Sequence, residues 1–127
     1  MRLPRFIQGF RLFDGSDLND LADWFTSVQT NVTARPGGGQ TNATQLTAAQ
    51  VIVATVATAA DSVKLPASQV GAIVMIQNNG TNSVQVFGRG TDTINDVAAA
   101  TGVAQAAGKS ALYFSPSLGK WYRNLSA

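Results

Sequence analysis

The sequence predicts a mainly β protein: a β-sandwich or jelly-roll-like domain of seven or eight short strands, preceded by an N-terminal arm and one amphipathic helix. From Ala48 onward, short runs rich in β-branched and aromatic residues alternate with turn-forming Gly, Pro, Asn and Ser. Before that point, one stretch has helical periodicity. We therefore divide the chain into an arm and helix at residues 1–32, a Gly-rich linker at 33–47 and a β domain at 48–127.

The composition suits one globular domain with a neutral, hydroxyl-rich surface. The chain has 127 residues, of which 45% are hydrophobic and only 13% are charged, and its net charge is +2. The absence of Cys excludes disulfides and thiolate metal sites. No basic-then-apolar leader opens the sequence, and the longest apolar stretch is short for a membrane span. We expect a soluble protein that is not exported by the signal-peptide route.

The arm at residues 1–14 combines bulky apolar groups with arginines. Its large apolar residues are Phe6, Ile7, Phe10, Leu12 and Phe13, and its basic residues are Arg2, Arg5 and Arg11. Burying each large apolar side chain contributes roughly 1.5–3 kcal/mol, so the arm is expected to lie on a surface. That surface is either its own domain or a neighbouring subunit.

The predicted helix covers Asp17–Val32. Ser16 suits the N-cap position, and three Asp residues in the first turns favour a helix start. One apolar stripe follows helical spacing, with a tryptophan beside it; these residues are Leu18, Leu21, Trp24, Phe25 and Val28. We expect the stripe to pack on the β domain or on copies of the same chain.

The linker begins where the helix is expected to end. Pro36 cannot continue a helix, and Gly37-Gly38-Gly39 follows it directly. The glycines superficially resemble a phosphate-binding loop, but the Gly-Lys-Ser/Thr ending is missing and no strand is predicted before them. A hinge is the favoured interpretation.

Eight strands are predicted after the linker. They are Ala49–Ala57, Ser62–Leu65, Gly71–Gln77, Ser83–Gly88, Asp92–Asn95, Gly102–Ala106, Lys109–Ser115 and Lys120–Leu125. The Gly/Asn-rich loop at residues 78–82 predicts a hairpin between Gly71–Gln77 and Ser83–Gly88. The first of these strands is apolar on both faces, as in a strand covered on both sides. We find no internal repeat.

The sequence predicts a protein that is not an enzyme and has no cofactor or metal. It contains no His, Cys or Glu, which removes the usual bases, thiolate nucleophiles and transition-metal ligands. Lys109 and Ser110 are adjacent and would point to opposite faces of a strand. Asp92 and Asp96 could pair or bind calcium, but their Thr/Asn-rich context indicates turn roles.

Two binding functions need to be weighed for the exposed aromatic and basic residues. The arginines and phenylalanines of the arm could contact nucleic acid, but the aspartates that follow them would repel phosphate, so protein docking is favoured. Trp121 and Tyr122 could form a sugar-binding platform, but such residues more often belong to the core or cover a sheet edge.

Several stretches combine turn residues with short strand patterns. In the first half these are Phe10–Asn19, Gly37–Gln40, Thr44–Thr47 and Ala60–Pro66; in the second half they are Asn78–Phe87, Gly90–Asn95, Ala107–Ala111 and Gly119–Tyr122. Together they resemble small virion proteins of tailed bacteriophages, in particular head decoration (cement) and head-fibre proteins. The likeness covers nearly the whole chain. Its motifs are mostly turns and strand patterns, which related pieces of tail fibres also use.

The resemblance implies a non-enzymatic subunit on the exterior of the capsid, made in the host cytoplasm. Its partners would be the major capsid protein and further copies of itself, as a dimer or trimer, without a membrane. The arm residues Arg2, Arg5, Phe6, Phe10, Arg11 and Phe13 would then bind the capsid, and the helix stripe would form the oligomer interface. A tail or head fibre component that binds host glycans is the alternative.

Overall fold

The computed structural model describes residues 23–127, which form ten short strands in two sheets. The strands are β1 (Val28–Thr33), β2 (Thr44–Gln45), β3 (Gln50–Thr55), β4 (Ser62–Lys64), β5 (Ile73–Asn78), β6 (Val84–Phe87), β7 (Thr93–Ile94), β8 (Val103–Gln105), β9 (Ser110–Ser117) and β10 (Lys120–Leu125). Sheet A has the order β1-β3-β5-β9-β10-β7, and sheet B has the order β2-β4-β6-β8.

The first six strands form three coils stacked in parallel. In each coil the chain runs along sheet A and then along sheet B. Val28 lies beside Gln50, and Gln50 lies beside Met75, so the chain advances by 22 and then 25 residues per coil in sheet A. In sheet B, Val63 lies between Thr44 and Val86, which corresponds to 19 and then 23 residues. These parallel stacked coils resemble a β-solenoid.

The chain reverses its direction after the third coil. Strand β8 pairs antiparallel with β6 in sheet B, and β9 pairs antiparallel with β5 in sheet A. Strand β10 then folds back on β9, and the two-residue strand β7 joins the far side of β10 in a parallel pair. The last part of the molecule is therefore an antiparallel layer that covers the end of the third coil.

The core lies between the two sheets and is almost entirely apolar. Strands of sheet A point every second residue inward, as in Val51 and Val53 of β3 and Val74 and Ile76 of β5. The largest side chains that are completely buried include Leu46, Leu65, Ile76, Ile94, Tyr113 and Trp121. Small-to-medium aliphatic groups fill the narrow space within the coils, and the two large aromatic groups fill the space under the antiparallel layer.

A buried polar network fixes the reversal. The Tyr113 hydroxyl donates to Gln105 Oε1 at 2.8 Å, and Gln105 Nε2 donates to the backbone oxygens of Ile76 and Lys109, each at 2.9 Å. Asn78 Nδ2 donates to the backbone oxygen of Gln105 at 2.9 Å. All three side chains are buried. Because each bond joins β5, β8 or β9 to a neighbouring segment, the network holds the antiparallel layer in register with the third coil.

The prediction of a β-sandwich or jelly-roll-like domain is wrong. Consecutive strands of the coils do not pair with each other as hairpins; they lie in different sheets and pair with strands one coil away. The predicted hairpin between Gly71–Gln77 and Ser83–Gly88 is wrong for this reason, since β5 is in sheet A and β6 is in sheet B. The loop at 79–83 is instead a corner, where Asn82 Nδ2 donates to the backbone oxygens of Val56 (2.8 Å) and Ala57 (3.1 Å) in the coil before it.

The predicted helix does not extend to Val32. Residues 23–25 are helical, but Val28–Thr33 forms strand β1 and pairs in parallel with β3. The pairing gives backbone partners to one edge of β1 and buries Val32, whereas a helix would leave the edge of β3 unpaired. The stretch before Asp23 lies outside the described residues.

The segment predicted as a linker is part of the first coil. It contains β2 and contributes the buried residues Ala34, Ala43 and Leu46 to the core. All eight strands that the sequence predicts between residues 49 and 125 are confirmed, with small differences at their ends. The coils also form a structural repeat, which the sequence does not reveal because its corners differ in length and composition.

Candidate functional site

The outer face of sheet A carries an apolar groove of about 460 Å³. Along one row across the sheet, the outward residues are Val28 on β1, Gln50 on β3, Met75 on β5, Leu112 on β9 and Asn124 on β10. Val28 and Met75 are each 53% exposed. Ile52, next to this row on β3, and Leu125, at the end of β10, add to the apolar lining. We call these side chains and the space between them the apolar groove.

Strand β5 has apolar residues on its outer face as well as on its inner face. Its inward residues Val74 and Ile76 are completely buried, while its outward residues Ile73 and Met75 are 37% and 53% exposed. A strand with solvent on one face normally alternates apolar and polar residues. The prediction that β5 is covered on both faces is therefore wrong for the described chain, in which its outer face is open.

The apolar surface continues beyond the groove in both directions. Phe25, 47% exposed, precedes β1, and its backbone oxygen accepts a hydrogen bond from Gln50 Nε2 at 3.3 Å. On the other side, the rings of Phe114 and Tyr122 lie in a tilted contact with 6.1 Å between their centroids. The apolar part of the outer face thus extends from the residues before β1 to β10.

Uncharged polar groups border the groove. Its polar lining consists of amide and hydroxyl side chains: Gln50, Gln77, Ser110, Asn124 and Ser126. Among the residues that the structure describes, no charged side chain lines it. Such a surface can hydrogen-bond at its margins and bury aliphatic groups at its centre, which is the usual arrangement of a protein–protein contact.

An ion pair lies at the β10 margin of the same face. Lys120 Nζ is 3.1 Å from Asp96 Oδ1, and the Tyr122 hydroxyl is 3.1 Å from the same oxygen. The hydrogen bonds from Lys120 and Tyr122 lower the pKa of the Asp96 carboxyl, and Asp96 in turn raises the pKa of Lys120. Both side chains are more than half exposed, so the pair contributes little to stability. It leaves this margin with no net charge.

The residues predicted to bind partners are only partly within the described region. The predicted capsid-binding residues Arg2, Arg5, Phe6, Phe10, Arg11 and Phe13 lie outside it, as do Leu18 and Leu21 of the predicted oligomer interface. Of the remaining three, Trp24 packs against the core, whereas Phe25 and Val28 are exposed at the β1 end of the outer face. The described part of the predicted stripe is therefore divided between the core and the surface.

Acidic and basic side chains away from the groove, including Asp92 and Lys109, have structural contacts. Asp92 Oδ2 accepts a hydrogen bond from the Ser68 backbone at 2.9 Å, and the buried Asp61 accepts bonds from the backbone of Gly37 and Thr58. Lys109 Nζ bonds to the backbone oxygen of Ala127. Within residues 23–127, acidic side chains form no group of three that could hold a metal ion.

Trp121 is a core residue, as the favoured interpretation of the sequence predicted. Its side chain is 1% exposed, so it cannot stack on a sugar, and Tyr122 beside it is only partly buried.

The described part of the chain also contains no helix with the length and hydropathy of a membrane span.

The sequence did not indicate that Ile52, Met75 and Leu112 lie at the surface. One signal pointed to them, since apolar residues on both faces of Gly71–Gln77 require something to cover each face. Comparisons of the chain with protein-family models, with curated proteins and with solved structures found no match, so the function of this surface has to be inferred from its own geometry.

Proposed function

We propose that this protein is a non-enzymatic structural protein of a tailed bacteriophage, which decorates the outside of the head and stabilises the contacts between capsomers. The observation that carries the proposal is the open apolar face of sheet A, with an uncharged groove at its centre. A surface of this kind serves association with macromolecules. The virion as the place of that association comes from the sequence resemblance.

The proposal assigns different tasks to the two parts of the chain. The arm binds the capsid through Phe6, Phe10 and Phe13 and through the arginines among them. The coiled β region is a stiff body, because every coil is hydrogen-bonded to the next along both sheets. Many copies of a weakly binding protein can together strengthen a shell, since each further contact on the same particle adds to the total binding energy.

A binding experiment with full-length variants tests the role of the arm. We expect the combined substitution Phe6→Ser, Phe10→Ser and Phe13→Ser to abolish co-sedimentation with phage heads that lack the protein. Each phenylalanine that can no longer be buried weakens binding by roughly tenfold. The matched control is Leu118→Ser, which removes an apolar side chain that is 76% exposed in the turn between β9 and β10. Retained binding by the triple variant would refute the assignment of the arm.

The number of copies per particle tests the proposal as a whole. Quantification against the major capsid protein in purified particles should give a stoichiometry close to that of a capsomer lattice. A ratio of only a few copies per particle would instead identify a component of the tail or of a fibre.

A further inference from the structure

We infer that the outer face of sheet A is the surface on which two copies of this chain meet. The inference rests on the proposed function, because it names the partner of the same apolar face. The arm then remains available for the capsid. The alternatives for this face are the capsid protein and the N-terminal residues of the same chain, and the tests below distinguish a second copy from both.

The charge of the face favours an identical partner. When two copies meet around a two-fold axis, one patch contacts the identical patch of the other copy. A charged side chain near the axis would therefore lie opposite a charge of the same sign. The described residues that line the groove are all uncharged. At the margin, Lys120 and Asp96 neutralise each other at 3.1 Å. The face can therefore meet its own copy without repulsion.

The size of the face is sufficient for a specific contact. Five strands spaced about 4.8 Å apart, each with about six residues at 3.3 Å, cover roughly 480 Å². Two copies would then bury roughly 1,000 Å², which is near the lower limit for a specific protein–protein interface. Phe25 and the Phe114–Tyr122 pair extend the face at its two margins. The contact is compatible with a dimer of moderate affinity.

The shape of the face also suits a second sheet. Two sheets pack with their inner side chains interdigitated at a separation of about 10 Å. The row from Val28 through Met75 to Leu112 offers large side chains, and the polar Gln50 lies between two of them. Met75, on the third of the five strands, lies near the centre of the face. We place the two-fold axis close to this residue.

Sedimentation of the full-length protein provides the first test. We expect wild type to have twice the mass of the 13.2 kDa chain. Met75→Lys should raise the dissociation constant of the dimer by roughly 100-fold, because a two-fold contact contains the substitution twice. Met75 is half exposed, so the lysine is compatible with the folded chain, which circular dichroism verifies. The control Ala104→Lys adds the same charge on the exposed side of sheet B and should leave the mass unchanged.

Cross-linking provides a second test that does not depend on loss of association. The chain has no cysteine, so Met75→Cys and Ala104→Cys each introduce a single thiol. A short bis-maleimide should link two copies through Cys substitution at Met75 and not through substitution at Ala104. A monomeric wild type would overturn the inference, as would equal cross-linking of both variants.

Sedimentation with phage heads distinguishes failure of this inference from failure of the proposed function. A wild-type protein that is monomeric and still binds heads would leave the proposed function in place and remove the second copy from the apolar groove. A wild-type dimer that is dissociated by Met75→Lys but does not bind heads would support the inference and contradict the proposed function. A Met75→Lys variant that is monomeric and binds heads would support both.

Discussion

At the scale of single residues, Tyr113, Gln105 and Asn78 hold together the point where the chain changes direction. Their side chains are buried, and each polar atom of Gln105 has a partner within 2.9 Å. A buried network of this kind is stable only while it remains complete, because an unpaired polar atom in the core has lost its water without replacement. The sequence does not identify these residues, since Gln and Asn are also common on surfaces and in turns.

Removal of the Tyr113 hydroxyl should destabilise the fold. Tyr113→Phe leaves Gln105 Oε1 without its donor, which is expected to lower the free energy of unfolding by about 1–3 kcal/mol. Urea denaturation of full-length protein measures this change. The matched control is Tyr122→Phe, which removes a hydroxyl whose contact with Asp96 is exposed to solvent. An equal loss in the two variants would contradict the structural role of the network.

At the scale of elements, the strands of the β region follow from the sequence, while their partners do not. Runs such as Val84–Phe87 have β-branched and aromatic residues between clear turn signals, and these are local properties. The same Gly, Asn and Ser residues make hairpin loops and solenoid corners, so turn chemistry alone does not distinguish antiparallel from parallel pairing. The difference is decided by contacts 19–25 residues apart, as between Thr44 and Val63 or Gln50 and Met75.

Strand β1 shows a second limit of local patterns. A spacing of four residues separates Trp24, Val28 and Val32. This spacing fits one face of a helix, and it also fits separate positions along a strand. The parallel edge of β3 decides between them by pairing with the backbone of β1. The predicted interface residues therefore remain at the surface, with Val28 on the outer face of sheet A and Phe25 beside it.

A comparison of two glycines tests the corner before β8. Gly102 and Gly108 both have positive φ, at 63° and 78°. A Cβ atom at Gly102 would lie 2.5 Å from the backbone oxygen of Val86 and 2.8 Å from the Phe87 ring, whereas one at Gly108 would meet nothing within 4 Å. Gly108→Ala should cost about 1 kcal/mol through the backbone alone. Gly102→Ala should cost roughly 1–3 kcal/mol more, because the clash is added.

Thermal or chemical denaturation of the two alanine variants measures this difference. Equal destabilisation would mean that β6 and the corner at Gly102 are not in the close contact that the fold requires.

At the scale of the whole molecule, the inner face of sheet A is buried and its outer face is open to solvent. The inward apolar residues of β3, β5 and β9 form a single layer between sheets A and B. The sequence correctly indicates that β5 has two apolar faces, but it does not say whether the second layer belongs to the same chain. That information depends on the path of the chain around the coils, which no local pattern contains.

The stability of the whole fold should fall in alkaline solution. Burial raises the pKa of Tyr113 to about 12, against an ordinary value of 10.0. The folded state therefore holds this proton more tightly than the unfolded state, and the stability is fully present below pH 10. It is lost as the pH rises from about 10 to 12, by roughly 2 kcal/mol at the upper end.

Urea denaturation as a function of pH measures this loss. The alkaline decrease should be much smaller in Tyr113→Phe than in wild type, and it should persist in Tyr122→Phe. A decrease of the same size in Tyr113→Phe would assign the pH dependence to other groups.

The reversal of the chain after the third coil has a consequence for folding. Pairs within the coils join residues 19–25 positions apart, whereas β5 pairs with β9 across 33 positions at Gln77 and Ser110 and across 41 at Ile73 and Phe114. Closing the loop between β5 and β9 costs more chain entropy than closing a coil, so this pair forms after the coils, whereas β9–β10 and β6–β8 close over shorter loops. During synthesis, β5 has an unpaired edge until β9 has been made. This interval is the time at which the nascent chain is most exposed to wrong pairing with its neighbours.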